Sequence, residues 1–219
     1  MGARGRTAVH GNDIAWRCQA VSGEQTRCLL SFTYRGQSML LSELFKKYSE
    51  RTDKVTRHSY GPLYDHWVGP MAVTAEHNIL LIGVNMFGGG DIDAFGEYFQ
   101  HSRIYCIDRS FDRIVTMMPY RKIQYNAYEE KLADRLRLVG FDLIVDDCMH
   151  EEEAQVRAFQ IYYPTLRVNG RYVIEDVPTG NFTCVERVYR HAMAVGCRHF
   201  AYYGGRTTDD IDAAVVVVK

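Results

Sequence analysis

The chain has 219 residues and a formal net charge of −1, a size that suits one α/β domain with a small appendage and a full core. So small a net charge offers no electrostatic footprint for nucleic acid or an acidic membrane surface, and neither is expected as a partner. No apolar run approaches the ~20 residues of a membrane span, and the opening MGARGRTAVHGND lacks the apolar core of a signal peptide.

Residues 1–12 are small, basic and polar, and disorder is expected there. Ile14 to Val21 and Thr26 to Tyr34 have strand-like composition on either side of Ser22-Gly23-Glu24-Gln25. They predict a β-hairpin ahead of the main domain. The division is placed as an extension over 1–38 and a second domain over 39–219. Leu40 to Tyr48 reads as an amphipathic helix. The stretch from Arg51 to Tyr64 is polar and rich in His and Tyr. An ordinary surface connection is one reading. The other makes His58 and Tyr60 part of a lid over the ligand edge of the sheet that follows.

Asn78 to Val84 is the first core strand. The loop Asn85-Met86-Phe87-Gly88-Gly89-Gly90 follows, with Asp91 as its expected helix cap. Ile92, Phe95 and Phe99 then mark an apolar helical stripe. Glycines there let the backbone pass close to a ligand. The loop departs from GxGxxG, which counts against a nicotinamide dinucleotide site. Arg103 to Asp108 is the second strand and ends in an acid. The interval from Gly83 to Asp108 suits a carboxylate that accepts bonds from ribose hydroxyls; a helix cap is the plainer alternative. Ile114 to Met118 is expected on the next helix. Lys122 to Tyr125 is a third strand, with Asn126 at its end, a place suited to contact an adenine edge. Glu129 to Leu138 is a helix closed by Gly140.

The densest chemistry lies in FDLIVDDCMHEEEAQVRAFQIYYPTLRVNGRYVIED, from Phe141 to Asp176. Phe141 to Val145 is a buried strand. It runs into Asp146 and Asp147, with His150 three residues on. A helix carrying Val156, Phe159, Tyr163 and Leu166 follows, and Asn169-Gly170 breaks it. Arg171 to Asp176 is a second strand, ending in Glu175 and Asp176. In a parallel β-α-β unit both acidic pairs land on one sheet edge, where open α/β sheets bind ligands. Carboxylates crowded there repel one another unless a cation lies between them, so a divalent metal site is expected. Oxygen ligands favour Mg²⁺ or Mn²⁺ over zinc. Helix capping by one of the aspartates stays open. Cys148 beside the site is read as a packing residue. Val185 to Val195 is a helix ended by Gly196. Arg198 to Tyr203 and Ala213 to Val218 are final strands joined as a hairpin. Six scattered cysteines (Cys18, Cys28, Cys106, Cys148, Cys184, Cys197) form no CxxC pair. They favour free thiols in a reducing, cytoplasmic compartment.

The fold class expected is α/β: a mostly parallel Rossmann-like sheet with a C-terminal antiparallel hairpin and a small N-terminal β-hairpin extension. Taken together, LLIGVNMFGGGDIDAF, YCIDR, FDLIVDDCMH, RYVIEDV and the upstream RTDKVTRHSYGPLYDHW resemble class I S-adenosylmethionine (SAM)-dependent O-methyltransferases. The closest pattern is the metal-dependent group that methylates macrolide sugars, the mycinamicin type. The likeness covers roughly residues 42–219 and is a fold-level and family-level analogy. It implies that Gly83, Gly88 and Gly89 line the amino-acid end of SAM and that Asp108 holds its ribose. Asn85, Arg109, Asn126 and Asp146 stand beside them as further cofactor contacts. It implies that Asp147, Glu175 and Asp176 bind Mg²⁺ or Mn²⁺ and that His150 is the general base. Leu81 stands where the family carries an acid, and Asn126-Ala127-Tyr128 replaces its acidic adenine-side motif. The implied acceptor is a sugar hydroxyl, such as one on a deoxysugar like rhamnose, in a glycan or glycosylated natural product. A catechol-like small-molecule methyltransferase, an NAD-dependent oxidoreductase and a non-catalytic SAM-binding module are the competing readings. A homo-oligomer and a domain excised from a larger glycan-building protein are both compatible with the chain.

Overall fold

The computed structural model describes residues 6–9, 12–21, 25–33, 39–71, 75–178, 182–204 and 213–219. The chain divides into two compact units, Met1–Met39 and Leu40–Lys219. In the first, β1 (Arg6–Val9), β2 (Asn12–Val21) and β3 (Gln25–Thr33) form an antiparallel sheet in that order. The register runs from Asp13 opposite Thr33 to Val21 opposite Gln25. The expected hairpin is therefore β2–β3. Strand β1 is a correction, because disorder was expected over residues 1–12. Ladder bonds are made by the backbone, so a polar segment can extend a hairpin that offers an open edge.

The second unit holds a seven-stranded sheet of order β6-β5-β4-β7-β8-β10-β9. Strands β4 (Asn78–Ile82), β5 (Arg103–Asp108), β6 (Arg121–Gln124), β7 (Phe141–Asp146) and β8 (Leu166–Ile174) pair in parallel. Strand β10 (Ala213–Val218) runs antiparallel to both β8 and β9 (His199–Gly204). Period-two alternation sends the strand residues to two opposite cores. Ile79, Leu81, Val145 and Val216 pack with residues of α1 (Leu41–Lys47), α2 (Gly61–Trp67) and α3 (Gly90–Tyr98). Leu80, Ile82, Ile144 and Val217 pack with α4 (Glu130–Leu136), α5 (Glu152–Tyr162) and α6 (Thr183–Ala194). A buried sheet with helices on both faces needs near-continuous apolar strands, which NILLI and AAVVVV supply. Among the described residues no helix is long and apolar enough to cross a membrane.

Two expected elements differ. No helix forms over Ile114 to Met118. Val115 donates instead to the Gly88 carbonyl at 3.0 Å, Met118 N–H donates to Thr116 Oγ1 at 3.0 Å, and Pro119 disfavours a helical residue before it. The apolar side chains of this segment are partly outward, with Met117 97% exposed. The second difference is the end of α5. It stops at Tyr162, a short 3-10 turn spans Tyr163–Thr165, and β8 begins at Leu166. Pro164 lacks the N–H an α-helix would need there. Asn169 then takes a left-handed φ of 66° within β8, and its N–H reaches the Lys219 carbonyl at 2.7 Å.

The parallel core brings the loops after β4 and β7 into direct contact. Gly83 has φ +85°, and a Cβ there would lie 2.1 Å from the Asp147 carbonyl oxygen. Only glycine permits both the conformation and the approach. Replacing Gly83 by Ala is expected to cost about 3 kcal/mol and to lower Tm by roughly 10 °C. Gly196→Ala is the control: its φ is +77° with nothing within 4 Å, so it should cost only about 1 kcal/mol. Equal shifts for the two in thermal denaturation would show that the approach to Asp147 does not matter.

Candidate active site

The C-terminal ends of the parallel strands meet the segment between α1 and α2, and a cavity of about 230 Å³ opens between them. Gly83, Gly89, Asp147, His150 and Asp176 line it, with Arg57 from the segment before α2. A second depression of about 110 Å³ adjoins it, lined by Asp108, Arg109, Asn126, Tyr128 and Met149. Cys148 borders both. Burial raises its thiol pKa to about 11, which suits packing and not nucleophilic chemistry.

His150 lies between two carboxylates. Its Nε2 is 3.3 Å from Asp147 Oδ1 and its Nδ1 is 3.4 Å from Asp176 Oδ2. Burial works against the imidazolium, but Asp147, Asp176 and Asp146 outweigh it and raise the His150 pKa above its ordinary value. Asp176 has φ +52°, an uncommon conformation for a side-chain-bearing residue. Tyr60 holds it there. The Tyr60 hydroxyl donates to Asp176 Oδ1 at 2.7 Å and accepts from the Asp176 N–H at 3.0 Å. His58 stacks on Tyr60 with ring centroids 5.1 Å apart, and its Nδ1 is 3.6 Å from Asp176 Oδ1. Both rings are buried, Tyr60 to 1% exposure and His58 to 4%. In place of the expected lid, they form the wall behind Asp176.

Glu175 lies deeper. Its Oε1 accepts from Tyr64 at 2.8 Å, and its Oε2 accepts from Lys54. Gln155, on α5, donates to the Glu175 carbonyl at 2.8 Å and fixes the backbone behind the pair. Lys54 also donates to Asp147 Oδ2 at 3.0 Å and lies 3.3 Å from Asp91 Oδ2. Burial opposes the Lys54 ammonium, but Asp147, Asp91 and Glu175 outweigh it and hold its pKa well above the ordinary lysine value. The same contacts act on Asp147: burial would raise its pKa, yet Lys54 and His150 hold it well below the carboxylate range. The other carboxyls go the opposite way. Burial raises Asp91, Glu175 and Asp176, and it pushes Asp146 up to about 7. One ammonium does not neutralise this many carboxyl groups.

That imbalance fits a divalent cation. Asp147, His150 and Asp176 each offer one ligand atom, and these atoms lie within 4.8 Å of one another. The two carboxylate oxygens suit Mg²⁺ or Mn²⁺, which take oxygen ligands, and leave the imidazole for proton transfer. Glu175 meets the group through Lys54. Lys54 and Asp91 were not singled out as site residues in the sequence. Asp91 was expected to cap α3, but Gly89 holds that position, and the Asp91 carboxylate accepts from Thr52 and faces Lys54.

Asp108 lies at the end of β5, where a ribose acid was expected. Its Oδ2 accepts from Asn85 N–H at 3.0 Å and its Oδ1 from Ser110 N–H at 3.1 Å. Each oxygen keeps a lone pair for a ligand. The Asn85 side chain is used otherwise: Nδ2 donates to Asp112 at 2.8 Å and Oδ1 accepts from Arg113 N–H at 3.0 Å. It ties the β4 and β5 loops together. Gly88 and Gly89, at φ +93° and +89°, shape the turn before α3. Asn126 Oδ1 accepts from Tyr128 N–H at 3.3 Å, an Asx turn that sets the rim of the smaller depression. Asp146 is buried behind the site, and its Oδ2 accepts from Tyr172 at 3.3 Å.

No family model matches the chain. Over 129 residues it is 30% identical to mycinamicin VI 2''-O-methyltransferase of Micromonospora griseorubida, covering 56% of this chain and 32% of that protein. Over 146 residues it is 26% identical to 8-demethyl-8-alpha-L-rhamnosyl tetracenomycin-C 2'-O-methyltransferase of Streptomyces olivaceus, covering 63% and 38%. The chain thus spans about a third of the length of these curated relatives. The solved MycE methyltransferase, in complex with Mg, SAH and mycinamycin VI, superimposes with a TM-score of 0.66 at 22% identity, over 81% of this chain and 53% of that one. A second MycE structure with Mg and SAH gives 0.68 at 23% identity, over 83% and 55%. The chain therefore has the class I methyltransferase fold, and its sequence is similar to those of sugar O-methyltransferases of the mycinamicin and tetracenomycin type.

Proposed function

We propose that this chain is a SAM-dependent, divalent-metal-dependent O-methyltransferase whose acceptor is a sugar hydroxyl on a glycosylated small molecule. One observation carries the reading: His150 is held between Asp147 and Asp176, whose ligand atoms converge within 4.8 Å beside the glycine loop. Both relatives are sugar O-methyltransferases, which supports the choice of acceptor class.

SAM supplies a methyl group on a sulfonium, so no strong leaving-group activation is asked of the protein. The chain binds and orients it. The left-handed turn at Gly83, Gly88 and Gly89 leaves room for its amino-acid end, Asp108 accepts from the ribose hydroxyls, and Asn126 borders the adenine. A sugar hydroxyl is a poor nucleophile near neutral pH. A divalent ion held by Asp147 and Asp176, with Glu175 behind them, would lower the pKa of a vicinal diol and orient it. His150 accepts the hydroxyl proton as the oxygen attacks, and Asp147 and Asp176 stabilise the imidazolium that forms. Tyr60 keeps Asp176 in its left-handed conformation, so the second carboxylate stays aimed at His150. The buried His58 and Tyr60 keep water from that side.

Calorimetric titration tests the reading. S-adenosylhomocysteine should bind chelator-treated protein, and Mg²⁺ or Mn²⁺ should bind the resulting complex. Asp147→Asn should retain nucleoside binding and lose metal binding. If the nucleoside binds and no metal does, the acidic cluster is structural and a metal-free methyltransferase replaces this reading. If neither nucleoside nor metal binds, the methyltransferase reading itself is wrong. With a methylatable diol in hand, His150→Ala should lower kcat by roughly 10²- to 10⁴-fold while leaving nucleoside affinity within about two-fold. A His150→Ala variant with near wild-type kcat would remove it as the base.

A further inference from the structure

The least explained charge in this site is Lys54. Its side chain is 1% exposed, which is rare for a lysine and requires partners. It has three. The ammonium contacts Asp91 from the first turn of α3, Asp147 from the loop after β7, and Glu175 from the end of β8. Three N–H donors thus meet three carboxylates on three elements. The segment is fixed from behind: Arg57 and His58 both donate to the Asp53 carbonyl at 3.0 Å, and Tyr60 N–H donates to the Lys54 carbonyl at 3.0 Å.

Asp147 is shared. Its Oδ2 faces Lys54, and its Oδ1 faces His150, beside the point where the ligand atoms of Asp147, His150 and Asp176 converge. A divalent ion at that point and the Lys54 ammonium would stand on two sides of one carboxylate. Two cations that share an anion each weaken the other's hold on it. We infer that Lys54 is the resident counter-cation of the metal site: it keeps Asp91, Asp147 and Glu175 converged when no ion is bound, and it limits how tightly the ion binds. The inference rests on the metal reading proposed above. It makes Lys54 a positioning residue and not a metal ligand or a base.

The two halves of this role move in opposite directions, and a purely structural pin would not behave so. Lys54→Met keeps the unbranched chain up to the ε position and removes the charge. In chelator it should melt below wild type. Calorimetric titration of Mg²⁺ into the S-adenosylhomocysteine complex should give a dissociation constant roughly ten-fold or more below that of wild type. The rise in Tm on adding Mg²⁺ should be correspondingly larger than for wild type. A variant that binds Mg²⁺ no tighter than wild type, or more weakly, overturns the inference and leaves the metal reading standing. If Lys54→Met folds only when Mg²⁺ is added, the ion has taken over the ammonium's place and the inference stands. If it folds neither with nor without Mg²⁺, Lys54 is a packing residue and the inference falls. Should wild type take no Mg²⁺ while Lys54→Met does, Lys54 blocks the site and it is the metal reading that fails. If neither protein takes Mg²⁺, both fail.

Discussion

Like charges gathered in a protein interior demand a cation or a shared proton, and this constraint governs the edge of the seven-stranded sheet. Parallel strands β7 and β8 each end in two carboxylates, and α3 adds another in its first turn. Topology alone forces them together, because the C-terminal ends of parallel neighbours share an edge. Against these groups the fold sets Lys54, with Tyr60, Tyr64 and His58 from the same stretch of chain around it. Lys54, Tyr60 and Tyr64 each hold a carboxylate by a specific atom, and His58 Nδ1 lies 3.6 Å from Asp176 Oδ1. The segment between α1 and α2 is therefore the other half of the site, and the sheet edge cannot be understood without it. Burial raises the Asp91, Glu175 and Asp176 carboxyls even with Lys54 present. That remainder is what the proposed divalent ion would answer.

Backbone geometry and electrostatics reinforce one another here. The left-handed turn at Gly83 brings the β4 loop against the carbonyl of Asp147, while the Asp147 N–H returns to the Ile82 carbonyl at 3.0 Å. The loop expected to hold the methyl donor and the carboxylate expected to hold the metal are thus one packed unit. A displacement of either is felt by the other over a single van der Waals contact. Asp176 carries the second departure from ordinary backbone conformation. Its strain is offset by two hydrogen bonds to one tyrosine hydroxyl, which is the over-determination that such conformations require.

Much of this was legible in the sequence, for physical reasons that can be named. Strands β4, β5 and β7 are short apolar runs buried on both faces, and such runs have few alternatives in an α/β chain. Asp147, His150, Glu175 and Asp176 could be placed on one edge because strand direction fixes where a strand's last residues go. Local pattern misled elsewhere. Ile114, Val115 and Met118 have helical spacing, but Pro119 and the tie of Val115 to Gly88 keep the segment extended. The end of α5 was placed too late because the apolar stripe runs through Pro164 without a change of period. Lys54 was illegible for a different reason. Its partners Asp147 and Glu175 lie 93 and 121 residues away, and nothing in a polar TDK stretch marks its lysine as buried. Asp91 looked like a cap because capping is what a local reading can see.

The distance in sequence between Lys54 and its partners also bears on when the site comes into being. Contacts that close long loops reward the chain only after the intervening elements are in place. The Lys54 contacts need α3 for Asp91, the β7 end for Asp147 and the β8 end for Glu175, so the central sheet must already be ordered. Until then the carboxylates are free to stay apart in water, where they cost nothing. When β7 and β8 pair, the two acidic ends come together, and with α3 in place they form the pocket into which the ammonium fits. The partners Lys54, Tyr60 and Tyr64 and the carboxylates they hold all belong to the unit Leu40–Lys219. The carboxylate cluster and its counter-charge are thus assembled together, within one unit, by the folding of a single sheet.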